Sequence, residues 1–274
     1  MYIADIQRPQ ITLPSNSIIS EYLMGESVLA LAHKYCTNTH KIQHILDNNN
    51  INKISQAKRF NPNLKEDYFL NIDSDEKAYW LGWILTDGGI SNNHLEITLQ
   101  IKDIHILEML SNDLGVTSHG LRIYNEYVRF SIGSVIMCKQ LAQYGVIPNK
   151  TKTLKFPDID SKYTTALIRG MFEGDGGLTL GTATRFNKQR GKSYTTLYQE
   201  MSFTGTYDMC EGFQRIITTN TAIAPKNITR NHSIFRVRWS NKKEILQIFD
   251  LLYTGCNDHY LKRKYDLFCK LRME

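Results

Sequence analysis

Two aspartates, Asp87 and Asp175, each follow an apolar stretch of helical spacing and precede a pair of glycines. The stretches are "YWLGWILTDGGI" (residues 79–90) and "LIRGMFEGDGGL" (residues 167–178). An acid at a helix C-terminus faces the negative end of the helix dipole, an unfavourable placement of about 0.3–1 kcal/mol. Two carboxylates held close together add like-charge repulsion. A divalent cation shared between Asp87 and Asp175 would remove both penalties, because carboxylates, backbone carbonyls and water make a good Mg²⁺ site. Paired metals suit in-line cleavage of a phosphodiester. A single Asp-Gly-Gly is an ordinary helix stop, its glycines supplying a left-handed conformation. Two matched copies ask for a shared purpose.

That purpose requires elements that bring the two acids together. Each opening helix carries small residues four apart, Gly82 and Thr86 in the first, Gly170 and Gly174 in the second. Residues at this spacing share one helix face. Small ones allow close backbone approach, although a glycine inside a helix costs about 1 kcal/mol relative to alanine. Helices crossing along these faces would place Asp87 beside Asp175, with Gly82 and Gly170 at the interface.

The surrounding pattern runs twice. The first copy reads as a helix over 77–86, an alternating strand over 95–101 and a helix over 103–114, then strands at 121–124 and 127–132 and a helix over 134–144. The second reads as a helix over 163–174, a longer hairpin over 178–186 and 197–204, and a helix over 208–219. Strands at 226–230 and 234–240, a helix over 242–253 and a helical tail over 260–271 complete it. The expected fold is therefore α+β: two pseudo-symmetric αββαββα repeats, residues 78–157 and 158–274, each with an antiparallel sheet. Residues 1–55 read as a small all-α domain and 56–77 as a polar linker with Asn61-Pro62-Asn63. Within the first of these, three blocks of helical spacing resemble a helix-turn-helix of the recombinase or transposase kind. The third block would be the recognition helix, turning Asn38, Thr39, Lys41, Gln43 and His44 to the major groove; a bundle used only for packing is the alternative.

"WLGWILTDG" (residues 80–88) and "IRGMFEGDG" (residues 168–176) resemble the paired motif of the LAGLIDADG homing endonucleases. The resemblance spans about residues 78–274, and the duplication makes it specific. It implies a monomeric two-repeat enzyme whose sheets form a DNA-binding saddle. It also implies metal-dependent double-strand breaks with 3′-hydroxyl and 5′-phosphate ends. Asp87 and Asp175 fall at the catalytic, metal-binding position, and Thr86 and Gly174 would lend backbone carbonyls. Two or three Mg²⁺ or Mn²⁺ ions would be shared between Asp87 and Asp175 with DNA bound. Glu173, an acid two residues earlier, is expendable by the same comparison. "GVIPNKTKTLKFP" (residues 145–157) resembles the family's end-of-repeat segment and makes Lys150 the lysine near the scissile phosphate, with Lys152 its neighbour. "YLKRKYDLF" (residues 260–268) makes Lys264 the counterpart. "FLNIDSDEKAYWLGW" (residues 69–83) looks like the lead-in of bacterial and phage members.

If apolar strand positions pack on helices, alternate positions face outward. These are Glu96, Thr98, Gln100, Arg122, Tyr124, Arg129 and Ser131 in the first repeat, and Glu200, Ser202, Thr204, Arg236 and Arg238 in the second. Such a palette can contact base edges and phosphates. Arg185, Lys188, Arg190 and Lys192 crowd the tip of the longer hairpin, and residues 176–199 contain no acid. Residues 175–274 carry 16 Lys/Arg against 9 Asp/Glu, which points to a polyanionic partner.

Bulk composition narrows the class further. With 42% hydrophobic residues in 274, the chain can bury a core. Five scattered cysteines form no C-x-x-C pair, so a reducing cytoplasm is expected, with no disulfide framework. No apolar run approaches the roughly 20 residues of a membrane helix. The expected partner is double-stranded DNA with a long asymmetric site. Binding of intron RNA by a maturase, or of DNA by a catalytically idle regulator, are the rival readings; retention of both acids favours cleavage.

Overall fold

The computed structural model describes residues 13–51, 58, 61–116 and 120–273. The chain divides into two compact units, Met1–Pro62 and Asn63–Glu274. The first unit contains α1 (Ser15–Leu23), α2 (Val28–Lys34) and α3 (Thr39–Asn48). They close on Ile18, Tyr22, Leu31, Ala32, Ile42 and Leu46, the positions the helical spacing selects. Gly25 takes a φ of +109° between α1 and α2. Ser27 and Asn38 cap α2 and α3, their side chains accepting from Ala30 N and Lys41 N, each at 2.9 Å.

In the second unit the first half contains α4 (Asp75–Thr86), β1 (Gly88–Ser91), β2 (His94–Gln100), α5 (Ile104–Asp113), β3 (Leu121–Tyr124), β4 (Tyr127–Gly133) and α6 (Val135–Gln143). The second half contains α7 (Thr164–Asp175), β5 (Gly176–Asn187), β6 (Lys192–Gly205), α8 (Tyr207–Asn220), β7 (Thr229–Asn231), β8 (Ile234–Trp239) and α9 (Lys242–Tyr253), followed by α10 (Lys262–Met273). The sheets have matching antiparallel orders, β1-β2-β4-β3 and β5-β6-β8-β7. Residues 63–72, polar enough to read as linker, are packed into this unit. Leu64, Phe69 and Ile72 are buried, and the Glu66 carboxylate accepts from Ser134 Oγ at 2.6 Å.

The helices α4 and α7 form the spine. Every residue from Ala78 to Leu85 is buried, as is every residue from Ala166 to Glu173. A helix buried all round belongs in the centre of a core, not on its surface. Ser74 starts α4, its hydroxyl accepting from Lys77 N at 3.3 Å, with Asp75 and Glu76 in the favourable first turn. The two backbones touch at the glycines. A Cβ on Gly82 would lie 2.2 Å from the Leu167 carbonyl oxygen, and one on Gly170 would lie 2.1 Å from that of Tyr79.

The Asp-Gly-Gly segments differ from the expected helix stop. None of Gly88, Gly89, Gly176 and Gly177 has a left-handed φ, and each helix runs straight into a strand. The first glycine is there for room: a Cβ on Gly88 would meet the Ile84 carbonyl oxygen at 2.7 Å, and one on Gly176 the Phe172 ring at 2.2 Å. The strand Gly88–Ser91 has no alternating pattern to reveal it; it turns back through Asn92 and Asn93, both with positive φ, as a two-residue hairpin turn requires. Among the described residues, no helix is long and apolar enough to cross a membrane, and all five cysteines are free.

Substituting Gly82 or Gly170 by alanine should force the backbones apart and destabilise the unit by about 2–3 kcal/mol. Urea unfolding of each variant measures this, and a loss below about 0.5 kcal/mol would show that the helices do not meet there.

Candidate active site

Because α4 and α7 meet along their glycine faces, their C-terminal ends are adjacent. A Cβ on Gly174 would lie 2.0 Å from Thr86 Oγ1 and 3.2 Å from Asp87 Oδ2. Asp87 is therefore held against the last turn of the other helix, close to Asp175. Both carboxylates are open to solvent on one side, yet enough protein surrounds them to strip away part of their hydration. Burial raises the pKa of Asp87, with Lys264 and Lys150 opposing. Burial, then the charge of Asp87, pushes Asp175 up to about 6.

Two lysines answer the negative helix ends. Lys150 Nζ donates to the carbonyl oxygens of Leu85 at 2.8 Å and Thr86 at 3.3 Å. Lys264 Nζ donates to Phe172 at 2.8 Å, Glu173 at 2.7 Å, Gly174 at 3.4 Å and Gly176 at 2.5 Å. These ammonium groups satisfy carbonyls that a helix end leaves unpaired. Both lysines are buried, which lowers their pKa; that of Lys264 falls to about 8, with neighbouring Arg263 adding to the effect. Each lysine is thus tied to a helix end and is not free in solvent, and the charges of Asp87 and Asp175 act on both. A cleft of about 200 Å³ opens beside Asp175, with Thr86, Lys150 and Thr204 on its walls. Lys152, in the same short turn as Lys150, is exposed.

Glu173 has a place in the packing. It is buried in the interface, where its Oε2 accepts from Tyr79 OH of the other helix at 2.6 Å. Burial raises its pKa. Three further contacts are invisible as motifs because their partners are far apart in sequence, and the first of them holds α10, which carries Lys264. Arg263 Nε lies 3.0 Å from both carboxylate oxygens of the buried Asp103. Asp113 Oδ2 lies 2.7 Å from Trp80 Nε1 and 2.7 Å from His259 Nε2.

The strand faces divide as alternation requires. Leu95, Ile97, Leu99, Val128, Phe130, Ile132, Met201, Phe203, Val237 and Trp239 are buried. Register puts the expected outward residues together: Glu96 opposite Ser131, Thr98 and Arg122 opposite Arg129, and Gln100 and Tyr124 opposite Tyr127. In the second sheet Ser202 faces Arg238 and Thr204 faces Arg236, with Glu200 on the same side. Several of these cations are already engaged: Arg129 lies 3.9 Å from Glu96, and Arg238 3.6 Å from Glu200. Arg236 Nε donates to Thr204 Oγ1 at 3.3 Å. The same parity adds His94, Tyr127, Thr179, Tyr194 and Tyr198 to the outward face. Arg185, Lys188, Arg190 and Lys192 are exposed at the end of the β5–β6 hairpin. In the first unit Thr39, Lys41, Gln43 and His44 are exposed on α3, whereas the Asn38 side chain is occupied in capping it.

No protein-family model and no curated protein sequence matches the chain. Solved structures do. The LAGLIDADG meganuclease I-CpaMI bound to uncleaved DNA superposes with a TM-score of 0.51 at 12% identity, over 72% of this chain and 89% of that one. The I-LtrWI LAGLIDADG homing endonuclease bound to target DNA gives 0.49 at 9% identity, over 76% and 90%. The LAGLIDADG meganuclease I-AabMI bound to uncleaved DNA gives 0.48 at 13% identity, over 71% and 88%. The likeness to I-CpaMI is one of fold: a mixed α/β unit with two antiparallel sheets of LAGLIDADG type.

The raised pKa of Asp175 has a consequence for stability. Between pH 3.8 and about 6 the unfolded chain ionises this acid while the folded chain keeps its proton, so stability falls as pH rises and the penalty is complete above about 6. Without divalent cation, Asp175→Asn should therefore raise the thermal midpoint at pH 7.5 by about 1–3 °C, allowing for solvent screening. The gap should close towards pH 4. Melting curves that stay parallel from pH 4 to 7.5 would refute the crowding of these acids.

Proposed function

We propose that the protein is a LAGLIDADG-type DNA endonuclease that makes metal-dependent double-strand breaks as a monomer. Its halves act as pseudo-symmetric repeats, and its two sheets form a saddle over a long asymmetric duplex. The observation that carries this reading is the pairing of Asp87 and Asp175 at the touching ends of α4 and α7, each beside a buried lysine. A fold whose only need was a helix stop has no use for two acids in that position.

The residues fit a divalent cation such as Mg²⁺ or Mn²⁺. Two crowded carboxylates with raised pKa gain from a shared positive charge, and the helix ends offer backbone carbonyls beside them. Asp87 and Asp175 would hold it through their carboxylates, and Thr86 and Gly174 through the second lone pairs of carbonyl oxygens that also accept from Lys150 and Lys264 at 3.3 and 3.4 Å. Among the described residues no group of three His, Cys, Asp or Glu is gathered, so the remaining ligands would be carbonyls, water and the phosphate of the substrate. A cation bound there would lower the pKa of an attacking water and stabilise charge at phosphorus as the 3′-oxygen leaves. Lys150 and Lys264 hold the helix ends in place and put positive charge beside the scissile phosphates. Gly89 and Gly177 complete the site by being small. A Cβ on either would touch nothing within 4 Å, and neither has a positive φ. They lie opposite Glu96 and Ser202 on the outward faces, so the room they leave serves the docked backbone of the DNA. The N-terminal helical unit would add contacts through α3.

With Mg²⁺, the purified chain should cut both strands of a duplex carrying its site, and Asp87→Asn or Asp175→Asn should lower double-strand cleavage at least about 100-fold while retaining binding. Full activity in either variant would exclude the shared site. Gly177→Val should melt like wild type yet cut poorly; unchanged cutting by this variant would remove the role given to the second glycine.

A further inference from the structure

The two halves share one sheet order but not one size. From the Asp-Gly-Gly outward, the β1–β2 hairpin has four register pairs, Gly88↔Ile97 to Ser91↔His94, while β5–β6 has twelve, Gly176↔Phe203 to Asn187↔Lys192. The eight additional pairs amount to about 26 Å of ribbon at roughly 3.3 Å per residue. Beyond the sheet this ribbon stands alone, because β8 pairs with β6 only from Met201 to Gly205. A bare two-stranded ribbon is marginal in water. Here its tip is nonetheless built: Asn187 Oδ1 accepts from Gln189 N at 3.0 Å and Arg190 N at 3.1 Å, and Gly191 takes a φ of +59°.

Its surface is that of a ligand-binding arm. Phe186, Tyr194, Leu197 and Tyr198 are exposed, an apolar display with no covering element described. Four cations lie at or near the tip, with no acid between Gly176 and Gln199. Tyr194, Tyr198 and Arg185 project from the same face as Glu200 and Ser202. Gly181, paired with Tyr198, would meet nothing within 4 Å if given a Cβ and has no positive φ. A strand glycine that neither packing nor backbone conformation requires marks close approach by something outside the fold. A two-stranded ribbon is also an element that the major groove of B-DNA admits.

We infer that the β5–β6 ribbon is a one-sided DNA-reading arm, which lengthens the contacted duplex on the second half's side only. The inference rests on the reading of the sheets as the DNA-facing surface. At about 3.4 Å per base pair, the arm extends that side by up to about eight base pairs. Tyr198, Tyr194 and Arg185 contact base edges and sugar, and Lys188, Arg190 and Lys192 take phosphates. Specificity is thereby divided unequally between the halves, with the longer half-site belonging to the longer hairpin.

The full-length Asp175→Asn chain, without divalent cation so that the duplex stays whole, tests this on duplexes selected by binding from a random 40-base-pair library. Hydroxyl-radical footprints should be unequal about their centre. Replacing residues 180–199 by Asn-Gly should remove protection over about seven base pairs at one end only. A footprint of the same length in both chains overturns the arm. A second variant avoids dependence on the shortened hairpin: Arg185→Ala, Lys188→Ala, Arg190→Ala and Lys192→Ala combined should reduce the slope of log K against log salt on a non-specific duplex by about three to four. An unchanged slope also overturns it, as does loss of binding to an RNA stem-loop with DNA binding intact. Failure of the wild-type chain to cut DNA with these footprints in place would count against the endonuclease reading and leave the arm standing.

Discussion

Everything in the second unit follows from two helix backbones in contact. Gly82 against the Leu167 carbonyl and Gly170 against that of Tyr79 leave no space for a methyl group, so α4 and α7 are locked in one crossing. That crossing fixes where the helices end, and the helix ends fix the acids. Because each helix passes directly into a strand, it also fixes where each sheet begins. The sheets are thus referenced to the same point as Asp87 and Asp175, and a duplex lying on them would be registered to the carboxylates without any separate device.

The contact brings an electrostatic problem with it. Two helix C-termini and two carboxylates meet in one place; burial raises the pKa of both acids, and the charge of Asp87 adds to the rise at Asp175. Lys150 and Lys264 offset the helix ends by hydrogen bonds to carbonyls, but their own burial lowers their pKa. Both lysines also lower the pKa of the two acids, in opposition to burial. Under the proposed function, a divalent cation shared by the two carboxylates, with a phosphate beside it, would complete that charge balance. Tyr79 and Glu173 extend the polar cluster into the interface, and the Asp103–Arg263 and Asp113–His259 pairs carry the first half's geometry to α10.

Much of this was legible in the sequence because it depends on local chemistry. Small residues four apart revealed the helix contact, duplicated Asp-Gly-Gly marked where both helices end, and alternation in the longer strands revealed which side faces out. The role of the glycines was not legible. A left-handed stop and a space for Ile84 or Phe172 leave the same letters, and only the strand geometry of Gly176 separates them. The packing role of Glu173 was hidden because its partner, Tyr79, is ninety-four residues away. The carbonyls around Lys264 were equally hidden, since a backbone acceptor has no sequence signature. The reach of β5 and β6 was underread because residues 187–196 are polar, and polarity marks a loop unless both faces of a strand are solvated.

The central claim is that Asp87 and Asp175 form one cation site and not two. Mn²⁺ affinity, measured by water-proton relaxation with the same cleaved product duplex in every arm, tests it through a double-mutant cycle of Asp87→Asn and Asp175→Asn. A shared site predicts that either substitution alone weakens binding nearly as much as both together. Independent losses that simply add in the double variant would contradict it.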